Sequence, residues 1–405
     1  MIQEAVAIKL NEDYCSKCNL CCTVCPFEAI SFDANAGKTE IDAEKCQLCG
    51  ICASTCPSLA IELAYYDEKA LINHVREQTE AFGTRTLVVM CRGSSPPSGE
   101  ILDVLKEQNV KEFIPVRVPC VGRLSPGSFY LKALSIGINK IIAIQCDQNS
   151  CRYKRGSEIN MRRVQLLRTL LGQLGHKGEA LTIIENPLKA VYATEKCVGC
   201  DKCEFICPYS AIEAQPFATP EVNLEACKGC GACAIVCPHI AIQLQGFEYE
   251  PSSQAIREYG VEARKLKARG ASPIVLVFCC QWAEFPTLDY IKNGFIRQNV
   301  IVAQIPCFNA LDPVHVLEAL LSGFDGVLAV VCRDEDCKLS EGRGMAEDNL
   351  LALERTLERL NLRERFEVFK TSPRYMGSFD AKLDSFILQM SSLSGSNQLW
   401  MRIDE

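Results

Sequence analysis

Two kinds of segment alternate along the 405 residues. In residues 84–186, apolar runs of strand length (Thr86–Met90, Phe113–Val118, Lys140–Gln145, Leu181–Glu185) are separated by stretches of helical periodicity (Gly99–Gln108, Ser128–Ile136, Ser157–Leu174). Short β-branched runs alternating with amphipathic helices predict βαβ units and a parallel sheet. The order returns in residues 272–390, with strands at Ile274–Phe278, Val300–Ile305, Gly326–Val331 and Phe366–Phe369 and helices near Pro286–Gln298, Pro313–Leu321 and Met345–Leu360. Helical linkers at 65–83, centred on Glu68–Phe82, and at 247–271 precede these regions. Segments 1–64 and 187–246 carry dense cysteine instead, and the Ser-rich 391–405, through Trp400, predicts a loose tail.

The alternation is a tandem duplication. Cys15 recurs as Cys197, 182 residues on, Cys120 as Cys307, 187 on, and Cys146 and Cys151 as Cys332 and Cys337, 186 on. Each half therefore has a cysteine-dense front and a longer α/β rear.

Composition excludes several classes. A 48% hydrophobic, 23% charged chain is globular. The longest strongly apolar run, Ile274–Cys280, is too short to span a bilayer, which takes about 18–20 residues. Lys plus Arg, 43, against Asp plus Glu, 50, gives −7, which argues against nucleic acid or an anionic lipid surface as the main partner. The opening residues show no basic start followed by an apolar stretch, so no signal peptide is expected. With 26 cysteines and no export signal, the chain is expected in the cytoplasm, free or at the periphery of a membrane complex, with its thiols on metal rather than in disulfides.

Four stretches share one spacing, Cys-x2-Cys-x2-Cys-x3-Cys-Pro: Cys15, Cys18, Cys21 and Cys25; Cys46, Cys49, Cys52 and Cys56; Cys197, Cys200, Cys203 and Cys207; Cys227, Cys230, Cys233 and Cys237. This is the run of bacterial two-cluster ferredoxins, in which three closely spaced thiolates hold one [4Fe–4S] cluster and the fourth reaches the other. The expected sets are Cys15, Cys18, Cys21 and Cys56; Cys46, Cys49, Cys52 and Cys25; Cys197, Cys200, Cys203 and Cys237; and Cys227, Cys230, Cys233 and Cys207. An Ala-Ile pair follows each run (Ala29-Ile30, Ala60-Ile61, Ala211-Ile212, Ala241-Ile242), and the isoleucine is expected to cover a cluster. Zinc sites would use paired knuckles without the third and fourth cysteines. Cys22 falls outside the pattern and is expected to be a buried bystander.

In the rear regions, cysteines follow the predicted strands: Cys91, Cys120, Cys146 and Cys151 in the first, and Cys279-Cys280, Cys307, Cys332 and Cys337 in the second. Ligands of open α/β sheets sit beyond the carboxyl ends of the strands, where these thiols would converge. Buried free cysteine is the alternative, but four at matching places in two repeats favour a [2Fe–2S] cluster. Six clusters take 24 ligands, which leaves over Cys22 and one of Cys279 or Cys280. The local charge from Cys146 to Arg155 is +2 and that from Cys332 to Lys338 is −1. On that count the first rear cluster should have the higher potential.

The segment Val118-Pro119-Cys120-Val121-Gly122-Arg123-Leu124-Ser125-Pro126, with Leu131-Lys132-Ala133-Leu134 and Cys146-x4-Cys151-Arg152-Tyr153, resembles the delta, iron–sulfur subunit of methyl-viologen-reducing hydrogenase. That resemblance implies one [2Fe–2S] cluster and electron transfer to heterodisulfide reductase-type complexes. The second copy departs from it, reading Pro306-Cys307-Phe308-Asn309-Ala310 without the Gly-Arg pair but keeping Cys279-Cys280-Gln281-Trp282. The first copy has only Cys91-Arg92-Gly93 there.

The expected architecture is α+β and α/β: two ferredoxin-like modules (1–64, 187–246) alternating with two doubly wound α/β domains (84–186, 272–390). No Gly-x-Gly-x-x-Gly follows a strand, and no Walker motif, nucleophile–base pair or other catalytic residue stands out. The four histidines, His74, His176, His239 and His315, are scattered. The basic run Arg152, Lys154, Arg155, Arg162 and Arg163 reads either as a solvated helix start or as a docking patch for an acidic redox partner. The expected function is a multi-cluster electron-transfer subunit between a dehydrogenase or hydrogenase and a heterodisulfide reductase-like flavoprotein or reductase complex, with flavoprotein, heterodisulfide reductase-like, hydrogenase or formate dehydrogenase-like subunits as partners. The alternative is an oxidoreductase with its own substrate site at an incompletely ligated cluster.

Overall fold

The computed structural model describes residues 5–94, 100–149, 151–175, 180–186, 188–215, 218–283, 299–339 and 343–393. The chain divides into two compact units, one of residues 5–188 and one from residue 189 onward.

The first unit begins with short elements wrapped around cysteines. Strand β1 (Ile8–Leu10) is followed by helix α1 (Leu20–Val24), the hairpin β2 (Ile30–Asp33) and β3 (Lys38–Ile41), helix α2 (Ile51–Thr55) and strand β4 (Ile61–Leu63). β1 pairs antiparallel with β4, setting Ile8 opposite Leu63, and β2 with β3, setting Ile30 opposite Ile41. Helix α3 (Glu68–Phe82) then starts at Asp67, whose carboxylate accepts from the Ala70 amide at 3.1 Å, and ends at Gly83 in the left-handed region.

The rest of the unit is a four-stranded, wholly parallel sheet. Strands β5 (Thr86–Cys91), β6 (Ile114–Val118), β7 (Lys140–Gln145) and β8 (Leu181–Glu185) lie in the order β6-β5-β7-β8. Alternation along β5 gives the sheet two apolar faces. Leu87, Val89 and Cys91 pack with Ile72 and Val75 of α3 and with Val164, Leu167 and Leu171 of helix α6. Val88 and Met90 pack on the other face with Leu105 of helix α4. Here α4 is Glu100–Glu107, helix α5 is Lys132–Ser135 and α6 is Gly156–Gln173.

The helix expected over Ser128–Ile136 is split: Pro126–Leu131 winds as a π-helical turn before α5 begins. Ser125 starts that turn by accepting from the Ser128 amide at 3.1 Å, and its own hydroxyl donates to the Glu68 carboxylate at 2.7 Å.

The second unit repeats the order. Strands β9 (Ala190–Tyr192) and β12 (Ile242–Leu244) pair antiparallel, as do β10 (Ile212–Glu213) and β11 (Glu221–Val222), around the five-residue helices α7 (Lys202–Ile206) and α8 (Ala232–Val236). After helix α9 (Tyr249–Ala268), strands β13 (Val275–Cys280), β14 (Val300–Ile305), β15 (Gly326–Cys332) and β16 (Phe366–Thr371) form a parallel sheet in the order β14-β13-β15-β16. Helix α10 (Pro313–Leu321) is capped by Asp312, and α11 is Arg343–Arg359. The expected helix at Pro286–Gln298 lies outside the described residues. Ser391–Leu393, expected in a loose tail, are instead the end of a sixteen-residue helix, α12 (Ser378–Leu393), which buries Phe379, Leu383, Phe386 and Met390; the rest of that tail, with Trp400, lies outside the described residues.

Both sheets run 2-1-3-4 in strand order. The order reverses beside the first strand, so the carboxyl ends of the first three strands open onto one crevice. Cys91 closes the first strand, Cys120 follows the second and Cys146 the third; in the second unit the same places belong to Cys280, Cys307 and Cys332.

Candidate metal centres

Each cysteine run bends the backbone the same way. The residues on either side of its second cysteine have positive φ: Lys17 (55°) and Asn19 (60°), Leu48 (50°) and Gly50 (80°), Gly199 (64°) and Asp201 (56°), Gly229 (60°) and Gly231 (83°). So does the third residue after its last cysteine: Glu28 (51°), Leu59 (53°), Ser210 (47°) and Ile240 (52°). Left-handed backbone at Leu48, Leu59 or Ile240 costs about 1–3 kcal/mol each and persists where the surroundings impose it. Turns of this kind gather successive N–H groups into a concavity that suits an anion, Fe–S clusters included.

The last cysteine of each run accepts a backbone N–H from the alanine four residues on. The distances to Sγ are 3.4 Å from Ala29 to Cys25, 3.3 Å from Ala60 to Cys56, 3.3 Å from Ala211 to Cys207 and 3.2 Å from Ala241 to Cys237. N–H donors aimed at sulfur are a recurrent feature of Fe–S ligation, so the donor set fits cluster ligands. Among the described residues no group of three or more His, Cys, Asp or Glu side chains is gathered to hold a single metal ion.

The thiols of the two runs intermingle. Burial raises Cys52 well above the usual thiol range, and the neighbouring thiols of Cys49, Cys46 and Cys25 raise it further. Burial raises Cys233 in the same way, with Cys230, Cys227, Cys207 and Cys203 around it. Burial pushes Cys49 up to about 12. Cys203, Cys227, Cys233, Ile212 and Ile242 share one apolar cluster, with Cys207 and Cys237 packed against it. Of the other first-unit thiols, Cys15 Sγ is 3.9 Å from Thr39 Oγ1 on the hairpin, and Cys56 Sγ is 3.6 Å from Ser58 Oγ. Cys22 is half-buried, not buried.

Exposure is graded within each unit. Cys18 and Cys200 are exposed, whereas Cys46, Cys49 and Cys52, and Cys227, Cys230 and Cys233, are buried. The buried runs face the rear sheets. In the first unit Arg163 donates to Ser54 Oγ and Thr55 Oγ1 at 2.9 Å and to the Gly122 and Leu124 carbonyls at 2.8 and 3.0 Å. Lys154 Nζ donates to the Pro26 carbonyl at 3.1 Å, and Phe27 meets Tyr153 edge to face. In the second unit Cys230 packs with Cys307 and Leu339, with Tyr209 against them.

These contacts account for part of the basic run. Arg163 reaches inward, Lys154 stays exposed at the Pro26 carbonyl, and Arg155 and Arg162 pair with Glu158 at 3.2 and 2.6 Å. Lys154, Arg155 and Arg162 are nonetheless exposed, so the run still presents positive charge to solvent.

The first rear set converges in the crevice. Cys91 Sγ stands 3.4 Å from Cys146 Sγ. A Cβ at Gly156 would fall 2.1 Å from Cys120 Sγ and 3.5 Å from Cys151 Sγ, so both thiols crowd the start of α6. Hydrogen bonds with Cys120 and Cys146 hold Cys91 well below the usual thiol range, and a hydrogen bond with Cys120 lowers Cys151 to about 6. The same hydrogen bonds, with Cys151 and Cys91, push Cys120 well up, and that with Cys91 does the same to Cys146. Ligands bind as thiolates, so metal uptake would release these protons.

In the second unit Cys280 Sγ is 3.7 Å from Cys332 Sγ. Cys280, Cys307, Cys332 and Cys337 line one cavity of about 410 Å³ with Asn309. Cys279 precedes Cys280 in the strand, so it points to the opposite face, and its thiol donates to the Cys280 carbonyl at 3.6 Å. The buried Asn309 Nδ2 has no hydrogen-bond partner among the described residues.

Several residues around the thiols escaped the sequence reading. Gly156 follows Cys151 by five residues, Arg374 binds Asp336 from far along the chain at 2.6 Å, and Lys189 donates to the Cys227 carbonyl at 2.9 Å. Only Gly156, beside a cysteine pair, carried a local signal. Of the histidines, His74 and His239 are exposed, and His315 is buried and stacked on Tyr249; His176 lies outside the described residues.

A parallel 2-1-3-4 sheet with thiols at its switch point, placed behind a two-run cysteine module, defines an iron–sulfur class of protein. The family model for the delta subunit of methyl-viologen-reducing hydrogenase matches residues 86–195 and 275–394, more than half of the chain, and the chain belongs to that family. Models for 4Fe–4S dicluster domains match residues 7–72 and 196–241. The chain is 34% identical over 179 residues to a subunit of the ferredoxin/F(420)H(2)-dependent CoB-CoM heterodisulfide reductase of Methanosarcina acetivorans, covering 44% of this chain and 22% of that protein. It is 32% identical over 179 residues to the corresponding subunit of the ferredoxin:CoB-CoM heterodisulfide reductase of Methanosarcina mazei, with the same coverage. It is 40% identical over 68 residues to an iron–sulfur subunit of the F420-non-reducing hydrogenase of Archaeoglobus profundus, covering 17% of this chain and 49% of that one. The chain thus spans less than half the length of each of these relatives. Among the described residues no helix is long and apolar enough to cross a membrane.

Proposed function

We propose that the chain is a multi-cluster electron-transfer subunit. Two ferredoxin-like modules, 1–64 and 187–246, alternate with two doubly wound domains, 84–186 and 272–390, joined by linkers at 65–83 and 247–271. Four [4Fe–4S] clusters occupy the crossed ligand sets of the modules. Two [2Fe–2S] clusters occupy the rear crevices, one on Cys91, Cys120, Cys146 and Cys151 and the other on Cys280, Cys307, Cys332 and Cys337. The clusters supply the redox chemistry, and the protein sets their spacing and potential.

The graded exposure of the thiols carries this reading. In each unit an outer run with an exposed cysteine precedes a buried run packed toward the rear sheet. Electrons would enter or leave at Cys18 or Cys200 and pass inward. The names of the relatives support partners of hydrogenase and heterodisulfide reductase type, with a flavoprotein or a formate dehydrogenase-like component as further members of such a complex. Gentle anaerobic purification from the source, with identification of bound subunits, tests this. Redox subunits should co-purify; recovery of the chain alone with every cluster present would contradict it.

The cavity at the second rear site favours one other reading, an oxidoreductase that binds a substrate there. A small thiol or disulfide that perturbs only that cluster's signal would support it.

A further inference from the structure

Three side chains outside every ligand set link the Cys49 loop to the end of the first rear strand. The Arg123 guanidinium lies on Gly50: a Cβ at that position would stand 2.9 Å from its Cζ and Nε. Gly50 follows Cys49 directly and has φ 80°, so the loop presents bare backbone to the guanidinium. Arg123 is 3% exposed, and its Nη2 donates to the Tyr65 carbonyl at 2.8 Å. Its guanidinium lies 5.4 Å from the centre of the Tyr66 ring, and Arg92 lies over the same ring at 5.4 Å. Arg92 is wholly buried, directly follows Cys91 and donates to the Tyr66 hydroxyl. At its other end Arg123 belongs to the turn after Cys120, its amide donating to the Cys120 carbonyl at 3.2 Å.

A buried guanidinium is costly unless opposite charge lies near it. Among the described residues Arg123 makes no ion pair with a carboxylate, and Glu68, whose carboxyl feels Arg123, is engaged by Ser125. Its electrostatic neighbours are Tyr153 and Tyr66, then Cys49 and Cys120, one sulfur from each neighbouring ligand set, and these two would be thiolates as cluster ligands. Two sets of four thiolates with their iron and sulfide carry net negative charge, and one added electron makes each more negative.

The second unit replaces all three side chains. Gly231, with φ 83°, faces Ala310, whose Cβ would be 2.5 Å from a Cβ at 231. Ala310 follows Cys307 by three residues, as Arg123 follows Cys120. Gln281 follows Cys280 as Arg92 follows Cys91, and Phe247 stands six residues after Ala241 as Tyr66 does after Ala60. A buried cation of that unit, Lys189, bonds to the Cys227 carbonyl, and buried Arg374 pairs with Asp336.

We propose that Arg123, with Arg92 across the Tyr66 ring, is an electrostatic bridge that raises the reduction potentials of the two first-unit clusters it lies between, that of Cys46, Cys49, Cys52 and Cys25 and that of Cys91, Cys120, Cys146 and Cys151. The inference rests on the cluster assignment above. A fixed cation in a dry site favours the reduced, more negative form, and salt cannot screen it as it screens a surface charge.

The test is a redox titration of the full chain, followed by electron paramagnetic resonance, for wild type, Arg123→Met and Arg123→Lys, with iron measured on each sample. Each cluster takes one electron from the titrant. Arg123→Met should cut the reduced-to-oxidised ratio of both first-unit clusters at least tenfold at fixed ambient potential, about 59 mV for one electron. The second-unit clusters should not move, and Arg123→Lys should shift less. Full iron with unmoved first-unit potentials would overturn the proposal. Should Arg123→Met fail to load those clusters, Arg92→Gln, which installs the second unit's residue, decides: the rear cluster must fall in potential, and no shift overturns it. Absence of the first-unit rear signal in wild type would instead contradict the cluster assignment.

Discussion

Gly156 and Cys120 stand so close that a single added methyl group at 156 would lie 2.1 Å from the Cys120 sulfur. The glycine opens α6 at the switch point of the sheet, and the absence of its side chain leaves room for Cys120 and Cys151 to converge. Gly156→Ala should therefore empty the first rear site and leave the other clusters in place. Iron should fall by about two atoms per chain, with the cubane signals unchanged. Retention of all iron would mean that Cys120 does not ligate from this position.

Cys25 is counted in one run but lies among the thiols of the next, with Cys46, Cys49 and Cys52. Cys25→Ser should damage the buried cluster of those three and spare that of Cys15, Cys18 and Cys21. Electron paramagnetic resonance of the variant distinguishes them. Loss of the outer signal alone would show that the runs are not crossed.

Arg374 and Asp336 form an ion pair at 2.6 Å with side chains 6% and 1% exposed, tying the loop between Cys332 and Cys337 to the residues after β16. Arg374→Met would leave a buried carboxylate uncompensated, at a cost of about 3–5 kcal/mol. Hydrogen exchange should rise in residues 333–337 and 366–376, and the second rear cluster should be lost more readily to a chelator. Unchanged exchange there would show that the pair contributes little.

Much of the fold was legible because strand-length apolar runs and cysteine spacings are local signals. Lys140–Gln145 and Leu181–Glu185 form strands over those same residues, and α3 spans Glu68–Phe82. The π-helical turn at Pro126–Leu131 was not, because it depends on Glu68, remote in sequence, holding Ser125. Nor was α12, whose polar serines mask an apolar face that only packing reveals. The choice between Cys279 and Cys280 needed the strand's phase.

The charge count along the chain was misleading in the same way. It gave the Cys332–Lys338 loop a net −1, but the fold brings Lys370 to Asp334 at 3.3 Å and Arg374 to Asp336. The local acidity is largely neutralised, so it cannot order the two rear clusters. Arg92 and Arg123, buried beside the first, restore the same order on other grounds. The first rear cluster should be reduced before the second, and this order should hold as ionic strength rises. A redox titration at low and high salt checks it; reversal at high salt would return the effect to surface charge.

The most direct measurement is iron and acid-labile sulfide per chain in anaerobically prepared, fully loaded protein. Four [4Fe–4S] and two [2Fe–2S] clusters require about 20 of each. That value, with two spectroscopically distinct [2Fe–2S] signals that vanish separately in Cys120→Ser and Cys307→Ser, is the expected result. A reproducible value near 16, unchanged by either substitution, would contradict the assignment of clusters to the rear domains.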